Sequence, residues 1–171
     1  MIKKNEPIER HTIAVLVDNE AGVLARVAGL FSGRGYNIDS LTVSEVSANH
    51  DVSRVTIVTS GTPMVIEQIK AQLERLVPVR KVNDLTVDGP HVEREMALIK
   101  VRGEGDKRVE ALRLADAFRA RIVDSTNASF VFEITGASAK IDAFTDLMRD
   151  IGLCEIARTG VVGITRGKDV L

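Results

Sequence analysis

Ile13, Val15 and Val17 alternate with Thr12, Ala14 and Leu16, a period of two that predicts a strand over 12–18. The pattern then changes. Asn19 stands where a helix N-cap would, and Glu20 places an acid in the expected first turn. Val23, Leu24, Val27, Ala28 and Phe31 recur at helical spacing. Gly35 can take the left-handed position after a helix, so this helix is expected to stop near Arg34. Segments 37–46 and 51–60 read as two strands joined by a polar turn around Asn49. Thr62 and Pro63 read as an N-cap followed by proline at the first helical position, where its fixed φ helps and its missing N–H costs nothing. Ile66, Ile69, Leu73 and Leu76 supply the apolar stripe of that helix, Pro78 ends it, and 79–87 predicts a fourth strand.

Asp88-Gly89-Pro90 reads as a linker, and after it the series recurs. A strand is expected over 95–102, a helix over 107–119 and a hairpin from 121–125 and 130–135. A helix from Ser138 through Ile141, Phe144, Leu147 and Met148 follows, then a strand over 152–159. Both halves therefore run strand-helix-strand-strand-helix-strand, the split βαβ or ferredoxin-like plan. The predicted class is α+β: two tandem ferredoxin-like βαββαβ units, each an antiparallel sheet with helices on one face. The expected division is an N-terminal extension over 1–10, a first domain over 11–88 and a second over 89–171. The glycine-rich tail from Gly160 would be a loop or a docking segment. The second and fourth strands of each sheet would be edges, and the unpaired backbone groups of an edge invite another chain. A domain near 80 residues buries a modest share of its surface. A homo-oligomer is expected.

Composition narrows the function. Lys plus Arg number 23 against 24 Asp plus Glu, a formal charge of −1, which argues against binding nucleic acid by bulk electrostatics. Five Phe, one Tyr and no Trp leave little for the stacking platforms of single-strand binders. Cys154 is the single cysteine, so the chain can form neither an internal disulfide nor a cysteine-based zinc site, usage that suits a reducing compartment. The apolar run over 13–17 ends at Asp18. That is short of the ~7–15 residues of a secretory signal and the ~20 of a membrane span. No membrane or nucleic-acid partner is expected, and the expected location is the cytoplasm.

Candidate chemistry is sparse. His11 begins a strand and His50 lies in a turn, both surface positions by default. Alternation in His91-Val92-Glu93-Arg94-Glu95 would put His91, Glu93 and Glu95 on one side, as a metal site might need, but no second His or Cys group supports them. A charged inter-domain linker is the simpler reading. Cys154, mid-strand between Leu153 and Ile156, reads as a small buried hydrophobe with no nearby base to make it a nucleophile. Gly33-Arg34-Gly35 follows a helix instead of opening one, and Gly103-Glu104-Gly105 lacks a third glycine and carries acids that repel phosphate. Both read as turns. With no acid/base pair in a pocket, the expectation is no catalytic residue and no metal ligand.

The informative place is the first strand-to-helix junction, Asp18-Asn19-Glu20-Ala21-Gly22-Val23-Leu24. A helix N-terminus offers free N–H groups to a carboxylate, and Gly22 would let a ligand approach the backbone. Asn19 could cap the helix or bind a ligand's polar end, and the plain structural reading is an N-cap plus a tolerated glycine. A second amide, Asn37, stands at the start of the expected edge strand. If two copies pair by that strand, Asn37 of one lies near the Asn19 loop of the other, and the interface pocket would suit a small amino acid.

Asp18-Asn19-Glu20-Ala21-Gly22-Val23-Leu24-Ala25-Arg26-Val27, continuing through Gly29-Leu30-Phe31-Ser32-Gly33-Arg34-Gly35-Tyr36-Asn37-Ile38-Asp39-Ser40-Leu41-Thr42-Val43, resembles the ACT domain of the acetohydroxyacid (acetolactate) synthase regulatory small-subunit family. The resemblance continues in Ser53-Arg54-Val55-Thr56-Ile57-Val58, His91-Val92-Glu93-Arg94-Glu95, Phe118-Arg119-Ala120-Arg121-Ile122-Val123-Asp124 and Ala157-Arg158-Thr159-Gly160-Val161-Val162-Gly163. It covers nearly the whole chain after the first ten residues or so. It implies a two-domain subunit without catalytic activity that dimerises through its ACT domains. Such a subunit would bind and activate a thiamine-diphosphate-dependent catalytic large subunit and confer feedback inhibition by branched-chain amino acids, valine foremost. It implies an effector between two ACT domains at Asn19, Ala21, Gly22, Val23, Leu24, Asn37 and Ile38. Thiamine diphosphate, FAD and magnesium would belong to the partner, leaving this chain no cofactor of its own. The alternative is a free-standing ACT-domain amino-acid sensor or transcription regulator, although no helix-turn-helix or basic segment is visible. The segment from His91 acquires no effector role from the resemblance.

Overall fold

The computed structural model describes residues 7–171. The chain divides into two compact units, one holding the chain up to Val92 together with Val161–Leu171, the other Glu93–Gly160. The expected extension over 1–10 lies outside the described residues for 1–6, and its end, Glu9 and Arg10, is already strand.

The first unit runs β1 (Glu9–Asp18), α1 (Val23–Arg34), β2 (Ser40–Glu45), β3 (Val52–Gly61), α2 (Pro63–Glu74) and β4 (Val79–Asp84). Its antiparallel sheet has the order β2-β3-β1-β4, so β2 and β4 are the edges. The period-two positions behave as their spacing requires. Ile13 and Val15 sit opposite Ile57 and Val55, and this row packs beneath Val27 and Phe31 of α1 and Ile66, Ile69 and Leu73 of α2. Two helix boundaries follow from local chemistry. The Thr62 hydroxyl accepts the Val65 N–H ahead of Pro63, and Gly35 closes α1 at φ 70°, a conformation that costs glycine nothing.

The opposite face of this sheet is buried as well. Thr12, Ala14, Thr56 and Val58 are closed from solvent, and the tail lies against this row. The Val161 N–H donates to Ser40 Oγ at 2.8 Å, Thr42 Oγ1 donates to the Val161 carbonyl at 3.0 Å, and Arg54 Nη2 donates to the Gly163 carbonyl at 2.7 Å. Beyond the short β9 (Val162–Thr165), the Arg166 N–H reaches the Pro90 carbonyl at 2.8 Å. The sequence expectation placed 89–171 in one C-terminal domain. The tail belongs instead to the first unit, because Ser40, Thr42 and Arg54 supply the polar partners its backbone needs.

The second unit repeats the plan with β5 (His91–Arg102), α3 (Asp106–Ala117), β6 (Arg121–Ser125), β7 (Ser129–Gly136), α4 (Ser138–Ile151) and β8 (Leu153–Arg158), in the order β6-β7-β5-β8. Ala97, Ile99 and Val101 of β5 and Phe130, Phe132 and Ile134 of β7 pack against Ile141, Phe144 and Met148 of α4. Gly152 ends α4 at φ 144°, where a Cβ would sit 2.2 Å from the Arg102 carbonyl oxygen, so only glycine fits.

Several expectations change. The His91–Glu95 segment is the start of β5 and not a linker. The buried Glu95 carboxylate is met by the Arg158 guanidinium, which also donates to Asp142 at 2.6 Å. Cys154 is exposed, not buried, because the register of β8 against β5 shifts there, leaving it between the Glu155 and Leu153 pairings. Leu147 flanks the inward stripe of α4, which runs through Ile141, Phe144, Thr145, Met148 and Ile151, and is half exposed. His11 is buried instead of lying at the surface. Its Nδ1 lies 2.7 Å from the fully buried Asp84 carboxylate, which the Thr86 N–H also reaches. Its Nε2 is 3.5 Å from Glu9, too long for a hydrogen bond, and has no other partner among the described residues. No helix among the described residues is long and apolar enough to cross a membrane.

Candidate functional site

The turn from β1 to α1 is built differently from a side-chain-capped helix start. Asn19 does not cap. Gly22, at φ 86°, is the N-cap residue, no side chain caps the helix, and the first turn carries no acid. The Gly22 carbonyl accepts the Arg26 N–H at 3.0 Å, closing the first turn. The backbone N–H groups of the following residues thus begin a helix without a side-chain acceptor, the arrangement that favours an anion. Around Gly22 the space is open: an added Cβ meets no heavy atom within 4 Å. Asn19, Ala21 and Gly22 are exposed and Leu24 is 44% exposed. Val23 points into the core, and its backbone N–H donates to the Glu20 carbonyl at 3.4 Å.

Asn19 is held by the hairpin between β2 and β3. Its Nδ2 donates to Glu45 Oε1 at 3.0 Å and to the His50 carbonyl at 2.9 Å, while its backbone N–H donates to the Asp51 carbonyl at 2.9 Å. His50, in the left-handed region at φ 57°, returns its Nδ1 to Glu45 Oε2 at 2.5 Å. The His50 hydrogen bond first, then that of Asn19, hold the Glu45 carboxyl below the usual carboxylate range. Arg80 Nε, 2.5 Å from Asp18 Oδ1, ties the base of the turn to β4, and Asp18 in turn raises the Arg80 pKa.

Asn37 lies ahead of β2, not within it. Its Nδ2 donates to Asp39 Oδ1 at 2.5 Å, its carbonyl accepts the Thr59 hydroxyl at 2.7 Å, and Asp39 Oδ2 accepts the Ser60 hydroxyl at 2.8 Å. Ile38 is half-buried against the apolar core. The two amides thus stand at opposite ends of the sheet: Asn19 beside Asp51 and Val52, at the start of β3, and Asn37 beside Thr59 and Ser60, at its end. At ~3.3 Å per strand residue that is roughly 23 Å, so one chain cannot bring them to one small ligand.

A second copy can. Asn19 is bonded to Glu45, the last residue of β2, and Asn37 stands just before its first residue, Ser40. Antiparallel pairing of β2 with β2 of another copy sets the end of one strand beside the start of the other. Glu45 and Asp39 carry no site role in the sequence reading, and His50 is read there only as a surface residue in a turn. The polar turn around Asn49 marked their neighbourhood, but the hydrogen bonds that join them to the amides follow from register.

Among the described residues no cluster of His, Cys, Asp and Glu suited to a metal ion occurs. Known protein families match both halves of the chain. Residues 13–81 match the family model for an acetohydroxyacid synthase small subunit-like ACT domain, and residues 94–167 match that for the small subunit of acetolactate synthase. The chain is 51% identical over 158 residues to a probable acetolactate synthase small subunit of Archaeoglobus fulgidus, covering 92% of this chain and 98% of that one. It is 45% identical over 163 residues to the small subunit of acetolactate synthase isozyme 3 of Escherichia coli, covering 95% and 99%. The crystal structure of the Thermotoga maritima acetolactate synthase small subunit superposes with a TM-score of 0.84 at 42% identity, over 94% of this chain and 99% of that one.

Proposed function

The chain belongs to the acetolactate synthase small-subunit family, and from that premise we propose that it binds a branched-chain amino acid between the first units of two copies and passes the effect to its catalytic large subunit. It is a regulatory subunit, without catalytic activity of its own, and a catalytic large subunit is its partner. Valine is the expected effector. Activation and feedback inhibition are the expected outputs, with thiamine diphosphate, FAD and magnesium held by the large subunit.

One observation carries the reading: Asn19 and Asn37 mark the two ends of the edge strand β2. Pairing two copies through that edge would satisfy its unpaired backbone groups and, by the same symmetry, complete two equivalent pockets. Each pocket would combine the open start of α1 from one copy, which suits a carboxylate, with Asn37 and Ile38 from the other. Leu24 and Ile38 would supply apolar walls for a branched side chain.

Calorimetric titration of L-valine, L-leucine and L-isoleucine into the full chain tests the proposal. Saturable binding of at least one of them, with one site per chain, is the expected result. Absence of binding by all three, with and without the large subunit, would refute it.

A further inference from the structure

The two site amides are built alike, and the likeness has a chemical consequence. Both hydrogens of the Asn19 side-chain amide are committed, one to Glu45 Oε1 at 3.0 Å and one to the His50 carbonyl at 2.9 Å. The Asn37 amide gives a hydrogen to Asp39 Oδ1 at 2.5 Å. An ionised carboxylate can only accept, so each acid fixes the amide with its NH₂ toward the carboxylate and its oxygen away from it. Among the described residues no donor meets either Oδ1. Resting on the effector reading above, we propose that Glu45 and Asp39 aim Asn19 and Asn37 so that both present a carbonyl oxygen to the ligand's ammonium, and that the site therefore selects α-amino acids over α-oxo acids of the same skeleton.

Several observations support this. Glu45 is kept ionised by His50, whose Nδ1 lies 2.5 Å from its second oxygen, so its acceptor character persists to low pH. Asp39 is braced the same way, its second oxygen accepting the Ser60 hydroxyl at 2.8 Å. The start of α1, with its N–H groups, is the end of the pocket that suits the ligand's carboxylate. An ammonium placed between the two amide oxygens finds acceptors for its hydrogens. The keto oxygen of an oxo acid in the same place would face two amide oxygens, neither of which can donate, and a site built to hydrogen-bond one group discriminates strongly against an analogue lacking it. Glu45 and Asp39 are positioning residues in this scheme, since neither touches the ligand.

The test is calorimetric titration of L-valine and of 3-methyl-2-oxobutanoate into the full chain and its variants. The wild-type chain should prefer the amino acid by about a hundredfold or more. Glu45→Ala frees the Asn19 amide and should weaken L-valine about ten- to a hundredfold, bringing the two ligands closer together. Glu45→Gln offers a carbonyl in the same place and should keep L-valine within about threefold of wild type, a rescue that a merely electrostatic role for Glu45 would not give, while a merely structural role would leave the preference between the two ligands unmoved in Glu45→Ala. Asp39→Ala and Asp39→Asn form the matching pair at the other amide and decide the matter if a variant at Glu45 does not fold. Equal wild-type affinity for the two ligands overturns the inference, as do an unchanged preference in both alanine variants or loss in Glu45→Gln as severe as in Glu45→Ala. A wild-type chain that binds no branched-chain amino acid at all instead overturns the effector reading on which it rests.

Discussion

Replacing Gly22 by aspartate, with asparagine as comparator, separates charge from shape at the start of α1. Gly22 has φ 86° and ψ −3°, and a Cβ there meets nothing within 4 Å among the described residues, so both variants start from open space. The left-handed backbone costs a residue with a Cβ about 1–2 kcal/mol, and Asn and Asp are the side chains that visit it most readily. The two are nearly isosteric, so their backbone costs cancel in the comparison and only charge remains. An Asp carboxylate there would stand about 4–6 Å from a ligand carboxylate held at the N–H groups of α1. At effective dielectrics between about 20 and 80 the repulsion is about 1–4 kcal/mol, or roughly fivefold to several hundredfold in affinity. The same charge at a helix start should favour the fold by about 0.3–1 kcal/mol, so Gly22→Asp is expected to melt no lower than Gly22→Asn. Calorimetry with L-valine and inhibition curves of the enzyme reassembled with its large subunit give two independent readings. Equal affinity in the two variants would refute the placement of the ligand carboxylate at this helix.

Asn37→Ala should weaken L-valine about tenfold or more while leaving activation of the large subunit largely intact, measured by calorimetry and by activity of the reassembled enzyme. The Glu45 carboxyl is held low chiefly by His50, so whatever it contributes to the fold is fully present above its ordinary pKa near 4.5 and is lost as pH falls through its lowered one. In a carbon-detected NMR titration Glu45 should titrate below a model glutamate and move up in His50→Ala; an unmoved midpoint would remove His50 as the cause. Deleting residues 161–171 removes the hydrogen bonds to Ser40, Thr42 and Arg54, and amide exchange over Ser40–Glu45 should quicken about tenfold or more while α2 changes little. Unchanged protection of β2 would mean that the tail does not brace it.

Local signals made much of the fold legible. Thr62-Pro63 and Gly35 mark helix ends through their own dihedral preferences, and β6 spans the residues expected as the first arm of a hairpin. Reading failed where a residue's environment comes from far along the chain. Glu95 looked like part of a solvated charge run, yet it sits on the inward row of β5 because Arg158, 63 residues on, neutralises it. His11 looked superficial because Asp84, which buries with it, lies 73 residues away. The tail reads as a loop or a docking segment and it docks, but the three polar side chains that hold it lie on the face of a sheet in the other half of the sequence, which its own residues do not reveal.

At the site, the amides and the glycine were visible as residue types, but their separation was not. That separation has a thermodynamic consequence. Within one chain Asn19 and Asn37 lie roughly 23 Å apart along β3, so a lone chain offers a small amino acid either the helix start or the second amide. A ligand that needs both binds the pair of copies more tightly than it binds one copy. Linkage then requires the reverse: the ligand must tighten the association of the copies by the same factor. If the single chain retains negligible affinity, L-valine at a hundred times its dissociation constant stabilises each occupied site by about 2.7 kcal/mol, and two symmetric sites double the effect on the dimer. Sedimentation velocity across a dilution series, with and without saturating L-valine, measures this directly. The dimer should persist to concentrations at least a hundredfold lower when the amino acid is present. If L-valine binds with full affinity yet leaves the association constant where it was, the ligand is held within one chain, and Asn37 of a second copy has no part in the site.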